Sequence, residues 1–342
     1  MIMRRRRTKR CLTSFWHGFD ARKCLALLLV RNHKIFSRFF ALSKVEGLSM
    51  IGIFILLFSS CGGKKEDVVR TLQRDAKTLN IRGNELFYQG KYEEAAKFYD
   101  RARLTALSID DRTSVAESIN NLGSLYLIAD EKEKARGAFE EALRFNREIK
   151  NSSGIATNLL NIASLHIDEG KPEQGLKLLE EANGDAKEPQ EKAALLNQKG
   201  RALIALHQYE EASQVLNEAL HLALLKKLHR TAASSYFQLG RLHETQGNLP
   251  QALEAYHEAL REDKLVEYSV GIASDLFQIG KMYEKLGKKE EAFESFERAY
   301  LVSAELGARK QMKEYLQSLL ALQAFAPSSA RINEYQRVYS KL

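Results

Sequence analysis

A fixed internal period constrains this chain more than any other feature. Counting from Gly83, small residues recur at Gly123, Ala163, Gly200, Gly240 and Gly280, at spacings of 40, 40, 37, 40 and 40. Twelve residues after each origin stand Ala95, Ala135, Gly175, Ala212, Ala252 and Ala292. Bulky residues follow at +16 (Tyr99, Phe139, Leu179, Leu216, Tyr256, Phe296), and alanine at +19 in all six copies. Most copies carry an apolar stripe at −4, −1 and +3, as in Ile119, Leu122 and Tyr126, which marks one helix. A turn near +7, at Gly90, Gly170, Gly247 and Gly287, separates it from a second stripe at +12, +16 and +19. Each unit is therefore predicted to be a helical hairpin whose small residues let the two helices approach closely. One hairpin cannot bury both of its faces, so the units must stack into a solenoid.

The pattern of small, small, aromatic and small residues, in phrases such as GNELFYQGKYEEAAKFYDRA and GKMYEKLGKKEEAFESFERA, resembles the tetratricopeptide repeat (TPR) family over about residues 70–302. The resemblance implies an all-α, right-handed α-solenoid of about six TPR hairpins with a C-terminal capping helix. The period departs from the family's 34 residues and implies longer helices or linkers. This spacing and the phrase Asn120-Asn121-Leu122-Gly123 look most like kinesin light chain and asparagine-rich adaptors. Repeat three is irregular, with Gly175 in mid-helix and Asn183-Gly184 and Pro189 before repeat four. Residues 308–323 read as the cap, stopped by Pro327, with a last short helix over 329–340. The expected organisation is a basic leader and signal over 1–60, an attachment Cys and linker over 61–70, repeats over 71–307 and capping helices over 308–342.

Charge and cysteines belong to the leader. Residues 1–49 carry 12 Lys/Arg against 2 Asp/Glu, leaving 40 against 42 in the remainder, so the formal charge of +8 is no footprint for nucleic acid on the body. Cys11 and Cys24 lie in the same stretch, and Cys61 is the last cysteine. Met50–Phe58 (MIGIFILLF) is an apolar run of nine residues. As a helix it would rise only about 14 Å, too short to span a bilayer but suited to an export signal. With Phe58-Ser59-Ser60-Cys61 it resembles a bacterial lipoprotein signal, with Phe in place of the usual Leu. That resemblance implies that Cys61 carries the lipid and that the protein sits in a bacterial cell envelope, on the periplasmic side of the outer membrane, assisting assembly of an envelope complex. The 49 residues ahead of the run are long for such a signal, and the physiological start is expected nearer Lys44. Alternatives are a free Cys61 thiol behind an uncleaved anchor, and a cytoplasmic TPR adaptor or regulator.

The resemblance implies that the first helices line a concave groove for an extended peptide. At −2 stand Ile81, Asn121, Asn161, Gln198, Gln238 and Gln278. Carboxamides both donate and accept, so a ladder of them can pair with peptide backbone whatever its sequence. At +1 the chain reads Asn84, Ser124, Ser164, Arg201, Arg241 and Lys281, which makes the C-terminal half positive and suited to an acidic segment. At −3, Asn80, Asn120 and Asn197 give way to Phe237 and Phe277, an apolar pair beside that charge. Solvated surface amides and core phenylalanines are the plainer alternative. The sequence has no Gly-rich phosphate loop, G-x-S-x-G or H-E-x-x-H. His166 and His243 fall at the inward +3 offset, where packing is the expected role. The chain thus reads as a non-enzymatic binder of protein or peptide, with no cofactor, metal or small-molecule substrate.

Overall fold

The 40-residue period is set by two 17-residue helices and two three-residue turns. In a computed structural model of the protein, residues 64–326 and 328–342 are described. Cys61, the apolar run Met50–Phe58, the basic leader and Pro327 lie outside the described residues. Residues Val68–Leu342 form one compact unit. Its hairpins are α1 (Lys64–Tyr88) with α2 (Tyr92–Leu107), α3 (Arg112–Ile128) with α4 (Lys132–Glu148), and α5 (Ser152–Asp168) with α6 (Pro172–Asn183). They continue with α7 (Pro189–Ala205) and α8 (Tyr209–Leu225), α9 (His229–Thr245) and α10 (Leu249–Leu265), and α11 (Ser269–Lys285) and α12 (Lys289–Glu305). Two further helices, α13 (Arg309–Ala321) and α14 (Ser329–Tyr339), close the C-terminal end. The fold is an all-α solenoid with C-terminal capping helices, and no strand occurs among the described residues. No described helix is long and apolar enough to cross a membrane. Helix α1 begins at Lys64, inside the stretch expected to be linker, because KKEDVVR after Gly63 contains no residue that stops a helix.

Every first helix ends in a left-handed residue at +7: Gly90, Asp130, Gly170, His207, Gly247 and Gly287, with φ between 60° and 79°. The residue that follows it donates back five positions, as in Lys91 N to Leu86 O at 2.9 Å and Asn248 N to His243 O at 2.8 Å, which satisfies otherwise orphaned carbonyls. The second helices end the same way at Asp110, Lys150, Lys227, Glu267 and Gly307. Repeat three lacks that turn. Its α6 has 12 residues and is followed by a five-residue connection to Pro189, which accounts for the 37-residue spacing.

Within a hairpin the origin residue meets the +16 ring. A Cβ on Gly83 would stand 2.4 Å from Tyr99 Cε1, and one on Gly240 would stand 2.7 Å from Tyr256 Cε1. Both rings are fully buried, each contributing roughly 1.5–3 kcal/mol of burial. Repeat three exchanges the sizes. Ala163 takes the origin opposite Leu179, and the glycine moves to +12, where a Cβ on Gly175 would press on Ile167 and the Ala163 carbonyl.

Successive first helices touch one another (α3 with α5, α5 with α7, α7 with α9), whereas no two second helices make contact of similar extent. The first helices therefore lie on the inside of the curve. The curve is tight enough for the solenoid to meet itself. Gly90, in the first turn of repeat one, packs against Leu306 at the end of repeat six, and Asp130 pairs with Lys310 of α13 at 2.9 Å. The Arg230 guanidinium lies 3.9 Å over the Tyr88 ring and 4.7 Å over Tyr268. Repeats one and two thus rest on the opposite edge of repeats five and six and the cap, and the concave face becomes the wall of a channel.

Candidate functional site: the concave channel

The −2 carboxamides sit half-buried on the inner face, while Ile81 in the first repeat is exposed. Three of them find partners. Asn161 Nδ2 donates to Asn120 Oδ1 at 2.8 Å, Gln198 Oε1 accepts from Arg201 at 3.2 Å, and Gln238 Oε1 accepts from Arg241 at 3.4 Å. The other two do not. Asn121 Nδ2 and Gln278 Oε1 are buried with no hydrogen-bond partner, a donor and an acceptor each left at a cost of roughly 1–3 kcal/mol.

The −3 offset requires a correction. Asn80 is completely buried, donating to Ser114 O at 3.5 Å and accepting from Ser118 Oγ at 3.0 Å. Asn197 is also buried and donates to Thr231 O at 3.3 Å. Asn120 Oδ1 accepts from both Asn158 and Asn161 of the next repeat. These three asparagines are clamps between neighbouring first helices, because the following helix covers the position. Phe237 and Phe277 share that fate: Phe237 packs on Tyr256 with centroids 5.4 Å apart, and buried Phe277 stacks on Tyr315 at 4.4 Å. Phe277 is core, and Phe237 is partly buried against the same cluster.

The +1 offset is also narrower than its sequence suggests. Asn84 accepts from the Tyr99 hydroxyl at 2.8 Å. Arg201 donates to Ser164 Oγ at 3.0 Å and forms an ion pair with Asp168, so its charge is balanced within the protein. Burial lowers its pKa, Asp168 acts the other way, and nearby Arg241 adds to the lowering. Arg241 and Lys281 make no ion pair among the described residues, and Lys285 one turn further on is neutralised by Glu244 at 2.7 Å. The unbalanced positive charge of the inner wall is therefore that of Arg241 and Lys281. Asp168, the partner of Arg201, lies one turn beyond Ser164 on α5, the first helix of the preceding repeat, and no repeat offset marks it.

A cavity of about 350 Å³ lies where the solenoid meets itself, with Phe87, Leu127 and Ile128 as its apolar side and Ser124, Lys310 and Glu314 as its polar side. It escapes the repeat frame because its two sides come from opposite ends of the solenoid. Among the described residues no group of three or more His, Cys, Asp or Glu is placed to hold a metal ion. His166 and His243 each bury an unpartnered Nδ1, and burial is the main cause lowering the His166 pKa.

Comparison with known proteins follows the same frame. The tetratricopeptide repeat profile matches residues 74–148, 191–264 and 231–303, more than half of the chain. Among solved structures, a Rap protein complexed with Competence and Sporulation Factor is similar with a TM-score of 0.53 at 16% identity, covering 76% of each chain. The apo form of RapI gives 0.51 at 17% identity, covering 78% of this chain and 96% of that one. A signal-transduction ATPase with a tetratricopeptide repeat sensor from Pyrococcus horikoshii gives 0.54 at 13% identity, covering 82% of this chain and 44% of the other. No curated protein sequence matches.

Proposed function

Because the chain belongs to the tetratricopeptide repeat family, we propose that it is a non-enzymatic scaffold that holds an extended segment of a partner protein inside its channel. The observation that carries this reading is the pair of unsatisfied amides, Asn121 Nδ2 and Gln278 Oε1, on the inner wall. Both atoms are shielded from solvent, so rotation of each amide toward the channel would present a donor and an acceptor to a peptide backbone, at the offset where carboxamides recur. Arg241 and Lys281, with no counter-ion of their own, favour an acidic segment at the C-terminal end. A Rap protein of the same fold is described in complex with a factor, which supports the reading by analogy of fold alone. We further propose attachment through lipidated Cys61 to the bacterial envelope, on the periplasmic side of the outer membrane, and a part in assembling an envelope complex. The apolar run and the small residues before Cys61 support this part.

The test is capture of the partner by the full chain in its own membranes, followed by variants. Replacing Arg241 and Lys281 together by Ala should weaken binding most at low salt, since exposed charges are screened within about 10 Å at 0.1 M. Unchanged affinity across salt would place the partner elsewhere on the solenoid. Labelled fatty acid should enter the wild type and not Cys61→Ser. Equal labelling of both would remove the anchor while leaving the channel reading intact.

A further inference from the structure

Repeats two and three are joined by a buried pair of amides. Asn146 near the end of α4 donates its Nδ2 to Asn158 Oδ1 in α5 at 2.8 Å, and the two residues are 3% and 1% exposed. Gly154 makes the approach possible, since a Cβ there would stand 2.4 Å from Asn146 Cγ. The surrounding bonds are complete: Asn151 Nδ2 donates to Asn146 Oδ1 at 2.9 Å and Asn158 Nδ2 to Asn120 Oδ1 at 2.9 Å.

The same three positions recur between repeats five and six with different chemistry. Asp263 stands in the place of Asn146, Gly271 in that of Gly154 and Asp275 in that of Asn158. A Cβ on Gly271 would overlap Asp263 Oδ2, so the close approach is preserved. Asp263 and Asp275 are 5% and 2% exposed, and Asp263 Oδ1 and Asp275 Oδ2 have no hydrogen-bond partner. Neither makes an ion pair among the described residues. Ionised carboxyl groups only accept, so two of them cannot form the bond that the asparagines form. One proton supplies the missing donor, as in carboxyl pairs that share a site.

We propose that Asp263 and Asp275 share a proton and form a protonation-dependent clasp between repeats five and six, closed while the pair holds at least one proton and loosened when both carboxyls ionise. The groups around it do not supply an alternative. From α9, Arg230 faces Asp263 but is spread over the Tyr88 and Tyr268 rings, and His229 is engaged with Glu262 at 2.8 Å. Glu262 on α10 adds negative charge beside Asp263. Tyr256 of α10, Tyr268 at the start of α11 and Tyr315 of α13 are phenols that burial holds in the neutral form. Burial pushes Asp263 up to about 7, with Arg230 opposing and Glu262 adding. It pushes Asp275 up to about 9, with the Asp263 charge adding.

The sign follows from the direction. Carboxyls in the unfolded chain lose their protons near pH 4, while the folded pair keeps at least one to far higher pH, so the clasp's contribution is full below about pH 4 and is lost as pH rises through the folded values. Helix α11 carries Gln278 and Lys281 one and two turns beyond Asp275. Loosening the clasp therefore frees the helix that presents the cationic end of the channel, whatever the channel holds.

Hydrogen exchange of the full chain at pH 6 and pH 10, corrected for the intrinsic chemical rate, tests this. Amides of α11 in the wild type should lose protection by at least about tenfold at the higher pH, one pKa unit corresponding to a factor of ten. In Asp275→Asn the amide is a permanent donor to Asp263, and in the double variant Asp263→Asn/Asp275→Asn the pair of repeats two and three is rebuilt. Both should be nearly insensitive to pH at α11. The infrared band of a protonated carboxyl group at pH 6 should disappear in the double variant, a readout that does not depend on how stable either variant is. His229 and Glu262 are intact in both variants, so a wild-type pH dependence that survives in them belongs to that pair and overturns the proposal. So does a wild type with no pH dependence at α11.

Discussion

At the scale of single residues, the unsatisfied amides set stability against binding. An orphaned buried amide costs roughly 1–3 kcal/mol, and an apolar side chain of the same shape removes that cost. Asn121→Leu and Gln278→Met should therefore each raise the urea midpoint of the partner-free protein, by about 1 kcal/mol in stability, while weakening capture of the partner. A loss of stability in both would show that these amides are satisfied in the free protein and would remove the main support for the channel reading. Gly240 behaves in the opposite way. Alanine is the better helix former by about 1 kcal/mol, yet its Cβ would enter the buried Tyr256 ring, whose hydroxyl is held by Glu244 at 3.0 Å. Overpacking of this kind costs about 1–3 kcal/mol, so Gly240→Ala should lower the melting midpoint despite its propensity. The recurrence of carboxamides at −2 was readable from the sequence because it repeats at one offset. The clamping contacts of Asn80, Asn120 and Asn197 at −3 were not, because a helical wheel shows which face a residue occupies but not which neighbouring helix covers that face.

At the scale of elements, the turns explain both what could be read and what could not. The +7 turns announce themselves where glycine fills the left-handed position, as at Gly247. Four of the turns after the second helices use Asp110, Lys150, Lys227 and Glu267 in the same conformation and leave no glycine to find, the turn at Gly307 being the exception. The left-handed conformation costs a residue with a side chain roughly 1–2 kcal/mol. Lys227→Gly should therefore stabilise the protein by about 0.5–1 kcal/mol, after allowing for the extra freedom of glycine in the unfolded chain. A Cβ on Gly247 would meet nothing within 4 Å, so Gly247→Ala isolates the conformational cost and should destabilise by about 1–2 kcal/mol. Equal midpoints for Lys227→Gly and the wild type would mean that the turn relaxes away from the left-handed form in solution.

At the scale of the whole molecule, the closed channel depends on contacts that no single repeat encodes. Curvature accumulates from small rotations between neighbouring units, and the sequence of one hairpin carries no mark of where the sixth will end relative to the first. Three contacts report the closure: Gly90 on Leu306, Arg230 over Tyr88 and Tyr268, and Lys310 with Asp130 at 2.9 Å. The last is exposed, and Lys310 holds the Asp130 carboxyl below the ordinary carboxylate range, first through its hydrogen bond and then through its charge. Because that pKa is depressed, the pair contributes above the unfolded carboxylate value and is lost as pH falls through the folded one. A carbodiimide, which joins an amine and a carboxylate in contact without adding a spacer, should link Asp130 to Lys310 in the full chain, 180 residues apart in sequence. Lys285 and Glu244, at 2.7 Å on adjacent repeats, should be linked in the same sample whether the solenoid is closed or open. Cation–π contacts contribute about 0.5–2 kcal/mol, so Arg230→Ala should reduce the first link while leaving the second unchanged. If the adjacent-repeat link forms and the link between Asp130 and Lys310 does not, the solenoid is open in solution and its inner face is a groove rather than a channel.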